Sequence, residues 1–152
     1  MANLAELEKR IGALEDIESI KQLKYRYFRH LDSLNWEGVA DCFADDAVID
    51  YEPGIRMEGK EDIRKHVKDR LLEHIGVHQG HHPEIAITSP ATATGKLELF
   101  VYHYLPVMKK GFRLGGFYDD EYVKTSEGWR IRRSRMSLIF FEMWDREPLK
   151  RM

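Results

Sequence analysis

The chain has 152 residues, 43% of them apolar and 33% charged, with 24 Lys and Arg against 26 Asp and Glu for a formal net charge of −2. That length and balance fit one domain, residues 1–152, with enough apolar material for a single core, and they lack the basic surplus that a nucleic-acid backbone demands. No run reaches the ~18 apolar residues of a membrane span, and the acidic start Met1-Ala2-Asn3-Leu4-Ala5-Glu6 lacks a signal-peptide layout, so a cytoplasmic location is expected.

Residues from about Leu4 to Leu34 read as one long helix without proline. Ile11, Leu14, Ile17, Ile20, Leu23, Tyr27, Leu31 and Leu34 recur at steps of three and four, which builds one apolar face. The stretch before about Gly12 is expected to fray or to pack on a partner chain. Trp36 to Phe43 reads as a short second helix holding Cys42, the single cysteine and a packed thiol by this reading. Ala47 to Tyr51 reads as a strand and Pro53-Gly54 as a turn. Lys60 to about Ile75 is a third helix between Gly59 and Gly76.

The remainder reads as strands: Val77–Thr88, Ala91–Tyr104, Phe112–Thr125 and Trp129–Phe141, each rich in β-branched and aromatic residues and separated by turns. Helices first and long antiparallel strands after them define an α+β chain. Its sheet is expected to curl around the long helix into a cone with a pocket inside. The run Arg130, Arg132, Arg133 and Arg135 reads as the solvated face of a strand.

Chemistry concentrates in Val77-His78-Gln79-Gly80-His81-His82-Pro83-Glu84-Ile85, which holds three of the seven histidines within five residues. Histidine is the side chain suited to moving protons near neutral pH. Asp32, near the end of the first helix, is the acid that can hold one of them: a carboxylate on one ring nitrogen fixes the tautomer and leaves the other as a base. His103 shares a strand face with Leu97, Leu99 and Val101, so it is expected inside the cone. Tyr27 and Tyr51 are buried candidates whose hydroxyls can donate to a developing negative charge. His82 shares parity with His78 and faces the pocket unless Gly80 marks a bulge. Asp32, His78, His82 and His103 are metal-ligand types, but their spacing matches no standard motif, and no metal is expected.

The layout, with Asp32-Ser33-Leu34-Asn35-Trp36, Phe43-Ala44-Asp45-Asp46-Ala47-Val48 and Gly115-Gly116-Phe117-Tyr118-Asp119-Asp120-Glu121-Tyr122, resembles SnoaL-like members of the nuclear-transport-factor-2-like superfamily over roughly residues 13–144. The resemblance implies a cystatin-like α+β barrel: a cone-shaped curved antiparallel sheet around the N-terminal helix. Within it, His78 to Ile85 and Ala91-Thr92-Ala93-Thr94-Gly95 resemble bile-acid 7α-dehydratases, and scytalone dehydratases are similar. By that resemblance His78 falls on the catalytic histidine, Asp32 on the acid that orients it, His103 on a second active-site histidine, and Tyr27 and Tyr51 on catalytic tyrosines. Val101 and Leu138 stand where the bile-acid enzymes carry an aspartate and an arginine. Gly116 and Tyr118 replace a serine and an asparagine of scytalone dehydratases, so neither substrate carries over.

The expectation is a lyase that needs no cofactor, a dehydratase of a small hydrophobic aromatic, polyketide-like or steroid-like alcohol. Asp32, His78, His103, Tyr51 and Tyr27 would be catalytic, and His82, Val101, Tyr118 and Leu138 would line the substrate site. A formaldehyde-releasing carbon–carbon lyase or an isomerase would use the same base. A non-catalytic small-molecule-binding module would instead separate Asp32 from His78 or fill the cone. The deciding quantities are a contact of roughly 2.6–3.2 Å and an apolar cavity of about 300 Å³ or more. The resemblance, with the alternating Arg130 and Arg132 and the outward aromatics of the last strands, implies a homo-oligomer, dimer or trimer, with no nucleic-acid or membrane partner.

Overall fold

The computed structural model describes residues 3–71 and 73–151; Met1, Ala2, Met152 and Leu72, which falls inside the expected third helix, lie outside them. Helix α1 (Leu4–Asp32) begins where Asn3 accepts the Glu6 N–H at 2.9 Å, satisfying one otherwise orphaned donor. It ends as the Ser33 N–H returns to the Arg29 carbonyl and Leu34 turns left-handed, φ 59°. Its apolar stripe is covered only from Ile20 onward. Ile20, Leu23, Tyr27, Phe28 and Leu31 are buried, whereas Leu4, Leu7, Ile11 and Leu14 are exposed.

Asn35 caps α2 (Trp36–Asp41) by accepting the Gly38 N–H at 3.0 Å. Strand β1 (Phe43–Tyr51) then pairs antiparallel with β2 (Ile55–Glu58). The sequence reading has no counterpart for β2: four residues with only Met57 buried give no alternation to read. Helix α3 (Lys60–Leu71) stops a turn earlier than expected, because the chain turns at His74 and Ile75 already opens β3 (Ile75–Ser89). Strands β4 (Thr92–Leu105), β5 (Lys110–Thr125) and β6 (Gly128–Asp145) complete the sheet.

The six strands lie in the order β2-β1-β6-β5-β4-β3 and curve into one sheet. The meander β3 to β6 is antiparallel, as expected, but β1 joins β6 in parallel, so the sheet is mixed. The buried face of α1 packs with the inward residues Ala93, Leu97, Leu99 and Val101 of β4 and Tyr118 and Tyr122 of β5. Each fully buried Leu or Ile there contributes about 1.5–3 kcal/mol of transfer free energy.

Three register shifts decide which side chains reach the interior. In β3 the pairing slips between His81 and Glu84. Between β5 and β6, Gly115 pairs with Phe140 but Gly116 with Leu138, and Glu121 pairs with Arg133 but Tyr122 with Ile131. The last slip inserts Arg132 and switches β6 parity, so Ile131 and Ser134 are both buried. The arginine run stays outside and meets carboxylates: Arg130 with Glu127 at 3.4 Å, Arg132 with Asp46 at 3.4 Å, Arg133 with Asp50 at 2.9 Å and Arg135 with Glu121 at 2.9 Å. Cys42 is buried, its thiol 3.3 Å from the Gly38 carbonyl, and burial pushes its pKa up to about 11. No helix of the described residues is long and apolar enough to cross a membrane.

Candidate active site

The C-terminal end of α1 sets Asp32 against β3. Asp32 Oδ1 lies 2.7 Å from His78 Nδ1, and the same carboxylate accepts the His78 backbone N–H at 3.0 and 3.2 Å. A carboxylate only accepts, so Nδ1 carries the ring proton and Nε2 keeps its lone pair. Holding both backbone and ring of one residue leaves the imidazole little rotational freedom. Phe28 lies parallel to it, with 6.3 Å between centroids and 9° between planes.

Two more histidines crowd this ring. The His103 ring lies 4.6 Å from that of His78 and 4.3 Å from that of His74, edge-on and tilted respectively. Both His103 ring nitrogens are buried without a hydrogen-bond partner among the described residues. His74 Nδ1 bonds the Leu71 carbonyl at 2.7 Å, and its Nε2 is likewise buried and unpartnered. Burial, then the neighbouring His78 and His74, push the His103 pKa down from 6.5 to about 2, and burial lowers that of His74. His103 is therefore neutral near pH 7, a polar donor and acceptor rather than a cationic acid.

Below pH 6.5 the unfolded chain protonates these imidazoles more readily than the folded protein does, so the unfolded state binds more protons and stability falls as pH drops. Thermal unfolding as a function of pH is expected to show a Tm that declines on acidification through this window, less steeply in His103→Gln. An unchanged slope in that variant would remove His103 as a cause.

Gly76 makes room for this arrangement. A Cβ there would lie 2.1 Å from the Tyr102 carbonyl oxygen and 2.2 Å from His103 Cδ2. Backbone cannot yield as a side-chain tip does, so Gly76→Ala must part β3 from β4. It is expected to cost about 1–3 kcal/mol, as overpacking does, read by urea unfolding, and to displace His103.

On the other side of the cavity the polar groups form a buried chain. Ser134 Oγ donates to Asp120 Oδ1 at 2.6 Å. The single serine proton is then committed, so at 3.1 Å Tyr51 donates to Ser134. The Tyr27 hydroxyl stands 3.4 Å from that of Tyr51, the longest link. Burial keeps all these phenols protonated: the Tyr51 pKa is pushed up to about 12 and those of Tyr27 and Tyr118 are raised well above the usual range. Of the three hydroxyls in this hydrogen-bonded chain, Tyr27 is the one whose proton is committed neither to Ser134 nor to Asp120. Asp120 also accepts from Tyr122 at 3.0 Å and forms an ion pair with Lys24 Nζ at 2.7 Å, both partners essentially inaccessible. The Lys24 ammonium also lies over the Tyr118 ring, 3.6 Å from its centroid, a desolvated cation–π contact. Burial lowers its pKa, opposed by Asp120.

The cavity between these groups has a volume of about 160 Å³. Leu31, Leu99, Val101, Phe112, Leu114 and Met136 make its wall apolar, and His78, His103, Tyr27, Tyr51, Tyr118 and Arg70 are its polar members. It is smaller than the 300 Å³ expected. A wider open groove of about 590 Å³ shares Tyr51, Ile55 and Met136 with it, but that groove carries Asp50, Glu52, Arg56, Asp119 and Arg135 and no histidine.

Of the nine expected site residues, Asp32 and His78 are in contact, and His78, His103, Tyr27, Tyr51, Val101 and Tyr118 line the cavity. Two expectations are corrected. His82 does not face the cavity: the β3 register slip and its left-handed backbone, φ 49°, turn it outward to Glu98 at 3.0 Å, with its side chain 79% exposed. Leu138 does not line the cavity either. Its N–H donates to Glu52 at 3.1 Å, beside the bulge at Ile139, and Met136 takes the β6 position in the wall. His74, Lys24, Asp120, Ser134 and Arg70 escaped the sequence reading. Lys24 sits on the apolar stripe of α1, and Asp120 shares parity with Tyr118 and Tyr122; both signals were present. His74 stands four residues before His78, but the expected helix over Lys60 to Ile75 and the expected strand from Val77 put the two on different elements, whereas both belong to the turn and the start of β3.

The SnoaL-like domain family matches residues 12–135, and the chain belongs to that family. Among solved structures, a scytalone dehydratase candidate from Novosphingobium aromaticivorans superposes with a TM-score of 0.83 at 20% identity, over 94% of this chain and 99% of its own. A nuclear-transport-factor-2-like protein with a cystatin-like fold from the same organism gives 0.79 at 20% identity, over 91% and 92%. A hexachlorocyclohexane dehydrochlorinase, LinA type 2, gives 0.72 at 17% identity, over 97% and 98%. At these identities the likeness is one of fold.

Proposed function

We propose that this protein is a hydro-lyase acting on a small hydrophobic alcohol whose hydroxyl lies β to a carbonyl, with His78 as the general base. The observation that carries the reading is the 2.7 Å Asp32–His78 pair set beside an apolar cavity that His78 itself lines. His78 Nε2 takes the proton from the carbon next to the carbonyl, and the Asp32 carboxylate holds the imidazolium that forms. The C–H electron pair moves into an enolate, whose oxygen accepts a hydrogen bond from the Tyr27 hydroxyl in place of the 3.4 Å link to Tyr51; Tyr51, its own proton committed to Ser134, does not compete for it. The enolate then re-forms the carbonyl, the new C=C bond closes and the C–O bond breaks. The proton on His78 leaves with the hydroxide as water, neutral His103 donating a hydrogen bond to the departing oxygen.

Cavity size narrows the substrate. An apolar cavity of about 150 Å³ accommodates benzene, so 160 Å³ suits one ring and not the fused skeleton of a steroid or polyketide. The test is a panel of one-ring β-hydroxy ketones, with hydroxymethyl and double-bond-shift analogues for the carbon–carbon lyase and isomerase alternatives, each product identified by mass spectrometry. Loss of water catalysed by wild type and absent in His78→Gln is expected. Turnover that survives His78→Gln contradicts the reading.

The same reading takes the chain as a homo-oligomer. Phe117 and Phe140 are exposed on β5 and β6 on the face opposite the cavity-lining Leu114, apolar surface of the kind that marks an interface. Analytical ultracentrifugation showing only monomer would contradict it.

A further inference from the structure

Three imidazoles and a carboxylate meet where α1, α3 and β3 to β4 converge. Asp32, His74, His78 and His103 each offer one ligand atom, and these atoms all lie within 4.8 Å of one another. The elimination proposed above uses His78, Asp32 and a hydrogen bond from His103, and leaves His74 without a role. Yet His74 and His103 are 2% and 1% exposed, and together they hold three ring nitrogens with no partner among the described residues. Burying unpaired polar atoms costs free energy that a ligand can return.

The hydrogen bonds already present select which nitrogen is free. His78 gives Nδ1–H to Asp32, and His74 gives Nδ1–H to the Leu71 carbonyl. This is the outer-shell pattern of metal-ligating histidines, in which a carboxylate or a carbonyl fixes one nitrogen and the other binds the ion. From these observations we infer that His74, His78 and His103 form a binding site for a divalent transition ion such as Zn²⁺, with Asp32 orienting His78. Ligand atoms around a tetrahedral Zn²⁺ lie about 3.4 Å apart, and one ligand atom from each of these four residues already lies within 4.8 Å of the others. His78 and His103 also line the cavity, so an ion held by them would border it. The ion replaces no cofactor of the elimination. It takes the Nε2 lone pair that the base needs, so on the reading above, and only there, the loaded protein is the inhibited one.

The test measures binding without substrate, so it stands or falls independently of the lyase reading. Chelator-stripped full-length protein is titrated with Zn²⁺ by calorimetry and with Co²⁺ by visible absorption. One ion per chain is expected, with the intense ligand-field bands of tetrahedral nitrogen-ligated Co²⁺. His74→Gln and His103→Gln are each expected to weaken binding at least ~100-fold, and Asp32→Asn about 10- to 100-fold. The double variant His81→Ala/His82→Ala removes the exposed pair on β3 and is expected to leave binding unchanged. No binding, an octahedral Co²⁺ spectrum, or loss only in the His81/His82 variant would overturn the inference. The wild-type spectrum decides even if a buried-histidine variant fails to fold.

Discussion

Asp32→Asn is expected to lower kcat about 10⁴-fold, the effect of the wrong tautomer in an Asp-His pair, with KM and Tm nearly unchanged. The carboxylate now accepts both the ring N–H and the backbone N–H of His78. An asparagine that left its NH2 in the Oδ2 place would set donor against donor at the His78 backbone N–H, 3.2 Å away; turned over, its oxygen accepts that N–H while its amide nitrogen, in the Oδ1 place, donates to Nδ1 and moves the ring proton to Nε2. The base then faces the cavity as a donor. Steady-state kinetics on the substrate found in the panel checks this, with Asp32→Glu as a partial rescue. A kcat within a few-fold of wild type would mean that Asp32 only positions β3.

The second large effect concerns stability. Lys24→Met is expected to destabilise the fold by about 3–5 kcal/mol, because it leaves a buried charge uncompensated. For a chain of this size that is a Tm drop of roughly 6–20 °C. Asp120 is fully buried, and without the ammonium its charge rests on Ser134 and Tyr122 among the described residues. The double variant Lys24→Met/Asp120→Asn removes both charges and is expected to recover most of the loss. Differential scanning calorimetry of the set separates the outcomes: equal losses in single and double variants would show that volume, not charge, holds this end of the cone. The link to function is the hydroxyl chain, since Asp120 fixes the direction of Ser134 and so of Tyr51, which leaves the Tyr27 proton for a ligand oxygen.

The parts of this molecule that were legible in the sequence are those where periodicity is long. Twenty-nine residues of α1 carry a stripe that burial follows from Ile20. In β4 the alternation Leu97, Leu99, Val101, His103 is kept, all four buried. The Asp32–His78 contact spans 46 positions and no local pattern encodes it; the family resemblance supplied it. Parity failed where a bulge intervened. His82 has the right spacing from His78 in a regular strand, and one slip at His81/Glu84 sends it to solvent. The parallel pairing of β1 with β6 also lies beyond local pattern, because it joins strands far apart in the sequence. Lys24 and Asp120 were passed over singly: a charged residue on an apolar face looks like an exception until its partner is found 2.7 Å away.

The central claim is that His78 removes a proton from carbon. Its most direct test is deuterium exchange at the α-carbon of a one-ring ketone that lacks a leaving group, followed by NMR in D₂O with chelator present. Such a ligand reports the proton transfer alone, whatever group departs in turnover. The account predicts enzyme-dependent exchange in wild type and exchange at the buffer rate in His78→Gln. Equal exchange in the two proteins would contradict it.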